Sequence, residues 1–189
     1  KVDLSSLRPI DNWVLTRLQQ TVNKVTEDLD NYDLYNATAE IENFVTKDFS
    51  QWYIRRSRKD TNDQFFSTSW TVLVTISKLT APFAPFVSDS IFRNLTHKES
   101  VHLEDWPEIK DLTKDQEELI FQMQTIREVI EAVHSIRKEK AIPVRQPLAN
   151  LRSTLTSSLP DKSLHHYLLD ELNIKNWEVN KGDEFKNEL

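Results

Sequence analysis

The chain has 189 residues, 38% hydrophobic and 29% charged, with a formal net charge of −6 at pH 7, no cysteine and one glycine, Gly182. The missing cysteines exclude disulfides and thiolate metal sites. The missing glycines exclude a P-loop and a dinucleotide-binding turn before residue 182, because both need backbone without a Cβ against a phosphate. No apolar run approaches the ~20 residues of a membrane span, and the start at Lys1 without Met suggests a piece of a longer protein.

The first expected helix covers 11–32, with Asp11 as its cap and Leu18, Val22, Val25, Leu29 and Tyr32 as its apolar stripe. After a polar break, Asp33 caps a second helix, from about Leu34 to Lys59, whose stripe is Ile41, Val45, Phe49 and Trp52. This helix ends in "FSQWYIRRSRKD", where Arg55, Arg56, Arg58 and Lys59 follow directly on buried-type aromatics. At about 100° per residue, Arg56 and Lys59 continue the apolar side and Arg58 lies opposite. A third helix, 63–80, is apolar on two faces: Phe66, Trp70 and Leu73 on one, Val72, Ile76 and Leu79 on the other. That pattern suits the centre of a bundle. Pro82 and Pro85 break it, and Pro85 suits the first turn of a fourth helix to about Leu95. Residues 96–111 read as loop. A fifth helix, 114–140, carries Leu119, Met123, Ile126, Ile130 and Val133, and Arg137 and Lys140 extend that stripe.

Beyond Pro143 the period changes. "ANLRSTLTSS" and "IKNWEV" read as strands either side of the short helix "LHHYLLDEL", and the tail reads as frayed. The expected architecture is mainly α: an antiparallel helix bundle over residues 1–147, then a small strand–helix–strand unit over 148–189. That unit is too small to stand alone.

No arrangement of catalytic groups stands out. The five histidines, His97, His102, His134, His165 and His166, lack the spacing of a helical zinc site, so no catalytic and no metal residue is expected. The basic cluster at 55–59 is the strongest signal. It has two structural explanations: cations complement a helix C-terminus by ~0.3–1 kcal/mol each, and Arg56 could pack its stem and pair with a buried carboxylate. Against these, Trp52 and Tyr53 beside three arginines offer stacking surfaces and phosphate donors together, as single-stranded RNA requires. A second cluster, Arg137, Lys138, Lys140 and Arg145, is diluted by Glu139. A strict up-and-down bundle would put the two clusters at opposite poles.

Residues 31–60, "NYDLYNATAEIENFVTKDFSQWYIRRSRKD", resemble the anticodon-binding helical domain of the isoleucyl-tRNA synthetase family, class I aminoacyl-tRNA synthetases. "VLVTISKLTAPFAPFVSDSIFRNL", "HLEDWPE" and "IRKEKAIPVRQPLANL" are also similar to family segments, in the same order, and together cover most of 10–151. The related valyl enzymes share the fold and the "APFAPF" turn; "WYIRRSR" and "VRQPL" favour the isoleucyl family. The resemblance implies a cytoplasmic, monomeric parent that attaches isoleucine to its tRNA with ATP, some members also holding zinc. It implies that this portion binds the anticodon stem and loop of tRNA, touches no membrane, holds no cofactor and catalyses nothing, since the H-I-G-H and K-M-S-K-S type signatures are absent. The RNA contacts it implies are Trp52, Arg55, Arg56, Arg58 and Lys59 first, then Arg137, Lys138, Lys140 and Arg145, with Arg58 and Lys59 ahead of Arg56 among the first group. The alternatives are the valyl counterpart and a helical protein-interaction module.

Overall fold

The computed structural model describes residues 7–58, 62–156 and 159–188. The chain divides into two compact units, residues 1–113 and 114–189. This differs from the expected division at 147/148. The fifth expected helix packs on the short C-terminal helix, so its apolar stripe completes a core that the strand–helix–strand segment could not build by itself.

In the first unit, α1 (Pro9–Asp30) starts with Pro9 in its first turn and Arg8 as N-cap. Asp11 is therefore inside the helix and fully buried, not the cap. Asp33 does cap α2 (Leu34–Asn43), accepting from the Asn36 amide at 3.0 Å. The same Asn36 bonds hold the Asp33 carboxyl below its ordinary range. α2 continues without a break into a π-helical segment, Phe44–Ile54, and a last turn, α3 (Arg55–Ser57). α4 (Asp63–Thr80) is capped by Asn62, and α5 (Pro85–Thr96) has Pro85 in its first turn. The helices alternate in direction. Asp11 bonds Tyr53 and Arg17 bonds Asp48, while Val25 and Ala37 share one buried cluster. Trp70 bonds Leu95 and Ser88 bonds Thr80. The loop after α5 is strapped to α1 by Gln19 and Asn23, which donate to the Glu108 and Lys110 carbonyls, and by Trp106, which donates to Thr26.

Two apolar faces depart from expectation. Tyr32, placed at the end of the α1 stripe, is 91% exposed. Phe66 and Trp70 on α4 are 59% and 47% exposed, while Phe65, Thr68, Val72, Ser77 and Leu79 form that helix's buried side.

With no glycine at their ends, four helices end on other residues in left-handed conformation: Tyr32, His97, Ala141 and Asn173 all have φ between 51° and 60°. After α1, the Asp33 amide donates to the Asp28 carbonyl and the Tyr32 amide to Leu29, a Schellman arrangement. Ile142 to Arg137 and Ala141 to Lys138 repeat it after the helix that ends at Glu139. A side chain with a Cβ is strained in this region by roughly 1–2 kcal/mol. Ala141→Gly is therefore expected to raise stability by about 0.5–1 kcal/mol after its greater unfolded-state entropy is subtracted. A thermal melt no higher than that of the parent chain would contradict this.

The second unit contains α6 (Lys114–Glu139), β1 (Leu148–Leu155), α7 (His165–Leu172), β2 (Ile174–Lys181) and β3 (Lys186–Glu188). The sheet order is β2-β1-β3. β1 and β2 are parallel, with Leu151 opposite Trp177. α7 makes the crossover and packs against β2 and α6. The tail expected to fray instead adds β3 antiparallel to β1. Its Asn187 accepts from the Ser153 hydroxyl at 2.6 Å, which in turn accepts from the Trp177 indole at 2.8 Å. Gly182 sits between β2 and β3, where a Cβ would overlap the Thr154 methyl.

Candidate nucleic-acid interface

The basic end of the second helix takes its geometry from the π-helical segment before it. Phe44, Asp48, Phe49, Trp52 and Tyr53 are buried there, and Ser57 follows in α3. From Phe44 the inward residues are Phe49, Tyr53 and Ser57, so the repeat exceeds four residues. An α-helix would bring Arg55 round to within about 20° of Phe44, pointing into the core. Bonding to the fifth residue back widens the turn to about 4.4 residues, as in the bond from the Arg55 amide to the Ser50 carbonyl. In that register Tyr53 and Ser57 face inward and Arg55 faces out. Arg55 is exposed and Ser57 is 3% exposed. By Arg58, whose amide bonds Ile54 at 3.0 Å, the α register has returned.

The π register is held by polar pairs to α1. Tyr53 donates to Asp11 at 2.6 Å, and Arg8 completes the carboxylate with bonds of 2.6 and 3.0 Å. Burial and the adjacent Asp11 carboxylate push the Tyr53 phenol well above its ordinary value of 10.0. Five residues earlier, Asp48 meets the Arg17 guanidinium at 2.9 and 3.0 Å.

The expected site residues fall into four situations. Arg55 and Arg58 are exposed at the helix end. Lys59 lies outside the described residues. Trp52 is 7% exposed, and the Arg56 guanidinium covers it, 3.2 Å from the ring centroid, with one nitrogen on the Trp52 carbonyl at 3.4 Å. Trp52 is therefore a floor for Arg56 and presents no open face to a base. Arg56 is half-buried by the same stacking. This placement does not suit Trp52 and Arg56 as direct RNA contacts, the role expected from the sequence.

Arg137, also expected as an RNA contact, is placed away from solvent. It is 2% exposed. Its fork donates to the carbonyls of Pro143 (3.0 Å), Gln146 (3.2 Å) and Leu172 (2.7 Å). The last is the C-terminal residue of α7, where a cation meets the negative end of the helix dipole. Burial lowers its pKa from the ordinary value. Arg137 continues the α6 stripe, as the periodicity indicates, and for that reason ends in the core. Lys138, Lys140 and Arg145, in the same unit, are exposed.

Residues that the sequence reading assigned to the core complete the exposed surface near the first cluster. Phe66 and Trp70 line a cavity of about 510 Å³ with Ser67, Ser69, Thr71, Leu73 and Leu95. Their wide apolar arc concealed them, since periodicity cannot tell which of two apolar faces is covered. Among the described residues, no group of three His, Asp or Glu side chains could hold a metal, and no helix is long and apolar enough to cross a membrane.

Comparison with known proteins supplies the context. The family model for the anticodon-binding domain of tRNA ligase matches residues 11–152. Isoleucine–tRNA ligase of Thermus thermophilus is 34% identical over 183 residues, 88% of this chain and 17% of that protein. The Chlamydia trachomatis serovar L2 protein of the same name is 41% identical over 162 residues, 80% of this chain and 15% of the relative. That of Clostridium novyi is 38% identical over 187 residues, 92% and 18% respectively. The chain thus spans less than one fifth of the length of these curated relatives. The match covers the helix that carries Arg55 and Arg58 and reaches into β1. This chain belongs to the family of anticodon-binding domains of tRNA ligases.

Proposed function

We propose that this chain is the tRNA-gripping part of a cytoplasmic, monomeric isoleucine–tRNA ligase and that it binds the anticodon stem and loop of isoleucine tRNA. The observation that carries the reading is a matched anticodon-binding region whose second helix ends in two exposed arginines, Arg55 and Arg58, in a chain of net charge −6. The placement of charge, not its sum, sets affinity for a phosphate backbone. Arg55, Arg58 and Lys59 then meet phosphates on one unit, and Lys138, Lys140 and Arg145 do so on the other. Trp52 supports this surface from below by holding Arg56.

The chain's own share of the reaction is binding and positioning. In the parent, ATP activates the amino acid elsewhere. The residues present do not fit that nucleotide: there is no glycine-rich turn for its phosphates before Gly182. Zinc fits no better, since thiolates are absent and the described residues offer no ligand cluster. The names of the relatives favour the isoleucine enzyme over its valine counterpart.

The test is a filter-binding titration of the chain with isoleucine and valine tRNA at several salt concentrations. Arg55→Glu/Arg58→Glu is expected to weaken binding at least about tenfold and to flatten the salt slope by about two. Its thermal melt should match that of the parent chain, because both side chains are exposed. Equal affinity for the variant, or a fall in melting that tracks the fall in binding, counts against the reading. Preference for valine tRNA would move the assignment to the valine enzyme.

A further inference from the structure

We infer that the cavity between α4 and α5 seats one unstacked nucleobase of single-stranded RNA, with Phe66 and Trp70 as its aromatic faces. The inference rests on the RNA-binding reading above and adds a base-contacting site to its phosphate-contacting arginines.

Three observations converge. First, Phe66 and Trp70 are exposed yet fixed. Trp70 donates its indole N–H to the Leu95 carbonyl at 2.9 Å. Phe66 meets Phe65 edge-on at 5.4 Å, and Phe65 stacks on Tyr53 at 5.9 Å, which stacks on Phe49 at 5.8 Å. This ladder anchors the surface ring in the core. A ring held in place loses little further freedom on binding, so its stacking energy reaches the ligand. Second, the cavity of about 510 Å³ has an apolar body and hydroxyls in its lining, Ser67, Ser69 and Thr71. Ser67, exposed in that lining, offers a hydroxyl to the edge of a base. Third, the flanking charge suits RNA. The ladder joins Phe66 to the end of the second helix, where Arg55 and Arg58 are exposed. On the α5 side, Arg93 is exposed and lines, with Asp89, His97 and Lys98, a neighbouring cavity of about 610 Å³; Arg93 lies 3.9 Å from Asp89, so it is only loosely paired, while Lys98 meets Glu104 at 2.7 Å. An apolar cavity for a protein side chain would not call for cations on α5 and at the neighbouring end of the second helix; a base joined to a phosphodiester does. Trp52 cannot fill this role, being buried under Arg56.

The experiment titrates the chain into an anticodon stem-loop RNA that carries the fluorescent base 2-aminopurine at single loop positions. Anisotropy reports affinity, and quenching reports stacking. Phe66→Ala and Trp70→Ala are each expected to weaken binding by about five- to a hundredfold, the worth of one stacked base. Quenching at one loop position should disappear while the salt slope stays unchanged. Phe66→Leu should behave like Phe66→Ala, since it keeps volume but no π face, and Phe66→Tyr should bind as the parent chain does. If Trp70→Ala lowers the melting temperature, Trp70→Phe and the Phe66 series decide the matter. Affinities within twofold of the parent chain for Phe66→Ala and Trp70→Ala, with Arg55→Glu/Arg58→Glu still impaired, overturn the base seat and leave the phosphate reading intact. No binding of the stem-loop by the parent chain overturns both.

Discussion

Arg137→Leu is expected to destabilise the second unit by at least about 3 kcal/mol, because hydrogen bonds to a charged group contribute about 1.5–3 kcal/mol each, three carbonyls lose their donor, and burial of leucine offsets part of the loss. For a chain of this size that corresponds to a fall in melting temperature of roughly 6–12 °C. The loss arises at one point. The guanidinium ties the end of α6, the turn at Pro143 and Gln146, and the last carbonyl of α7 together. Arg137→Lys should recover only part of it, because an ammonium cannot reproduce the planar fork. Below its melting temperature the leucine variant should bind RNA as the parent chain does, with the same salt slope, since the side chain is 2% exposed. The contrary result is an unchanged melt with a slope flattened by about one, which would return Arg137 to the phosphate contacts.

Tyr53→Phe is expected to cost about 1.5–3 kcal/mol, the worth of a buried hydrogen bond to a carboxylate. The phenol and Asp11 are both fully buried, and the bond between them is 2.6 Å. Its pH dependence identifies it. Burial and Asp11 raise the phenol pKa in the folded chain above the ordinary 10.0, so the unfolded chain releases the proton first. The stabilisation is therefore complete below about pH 10 and declines above it, by at most about 1.4 kcal/mol per pH unit. Denaturant melts from pH 8 to 11 should show the gap between parent chain and Tyr53→Phe constant at first and then closing. A gap that stays constant to pH 11 would mean that the phenol ionises in the folded chain as freely as in the unfolded one.

The two substitutions bracket what could be read beforehand. The periodic stripes place α1, α4 and α6 to within a few residues, because burial at helical spacing is written directly in the order of apolar side chains. Pro85 in the first turn of α5 and Asp33 as a cap follow from backbone chemistry alone. The π register was not legible. It needs Asp11 and Arg17 on another helix to draw Tyr53 and Asp48 inward, and a wheel drawn at a fixed angle cannot contain that. The β3 strand was missed for a related reason: three polar-flanked residues have no pattern until β1 offers an edge to pair with.

The candidate site divides in the same way. The sequence by itself determined a mainly helical chain without thiols or phosphate-binding glycine turns, and a basic, aromatic helix end resembling an RNA-binding family. Composition and local order are sufficient for those statements. Which cations reach solvent was decided only in three dimensions. Arg55 turns outward because the π segment widens the turn, Arg56 lies down on Trp52, and Arg137 is drawn inward by three carbonyls. Phe66 and Trp70 stay open because neighbouring helices cover the other side of α4. An arginine's charge is fixed by its sequence, but its partner is fixed by the elements packed around it, and the partner decides whether that charge serves the fold or a ligand.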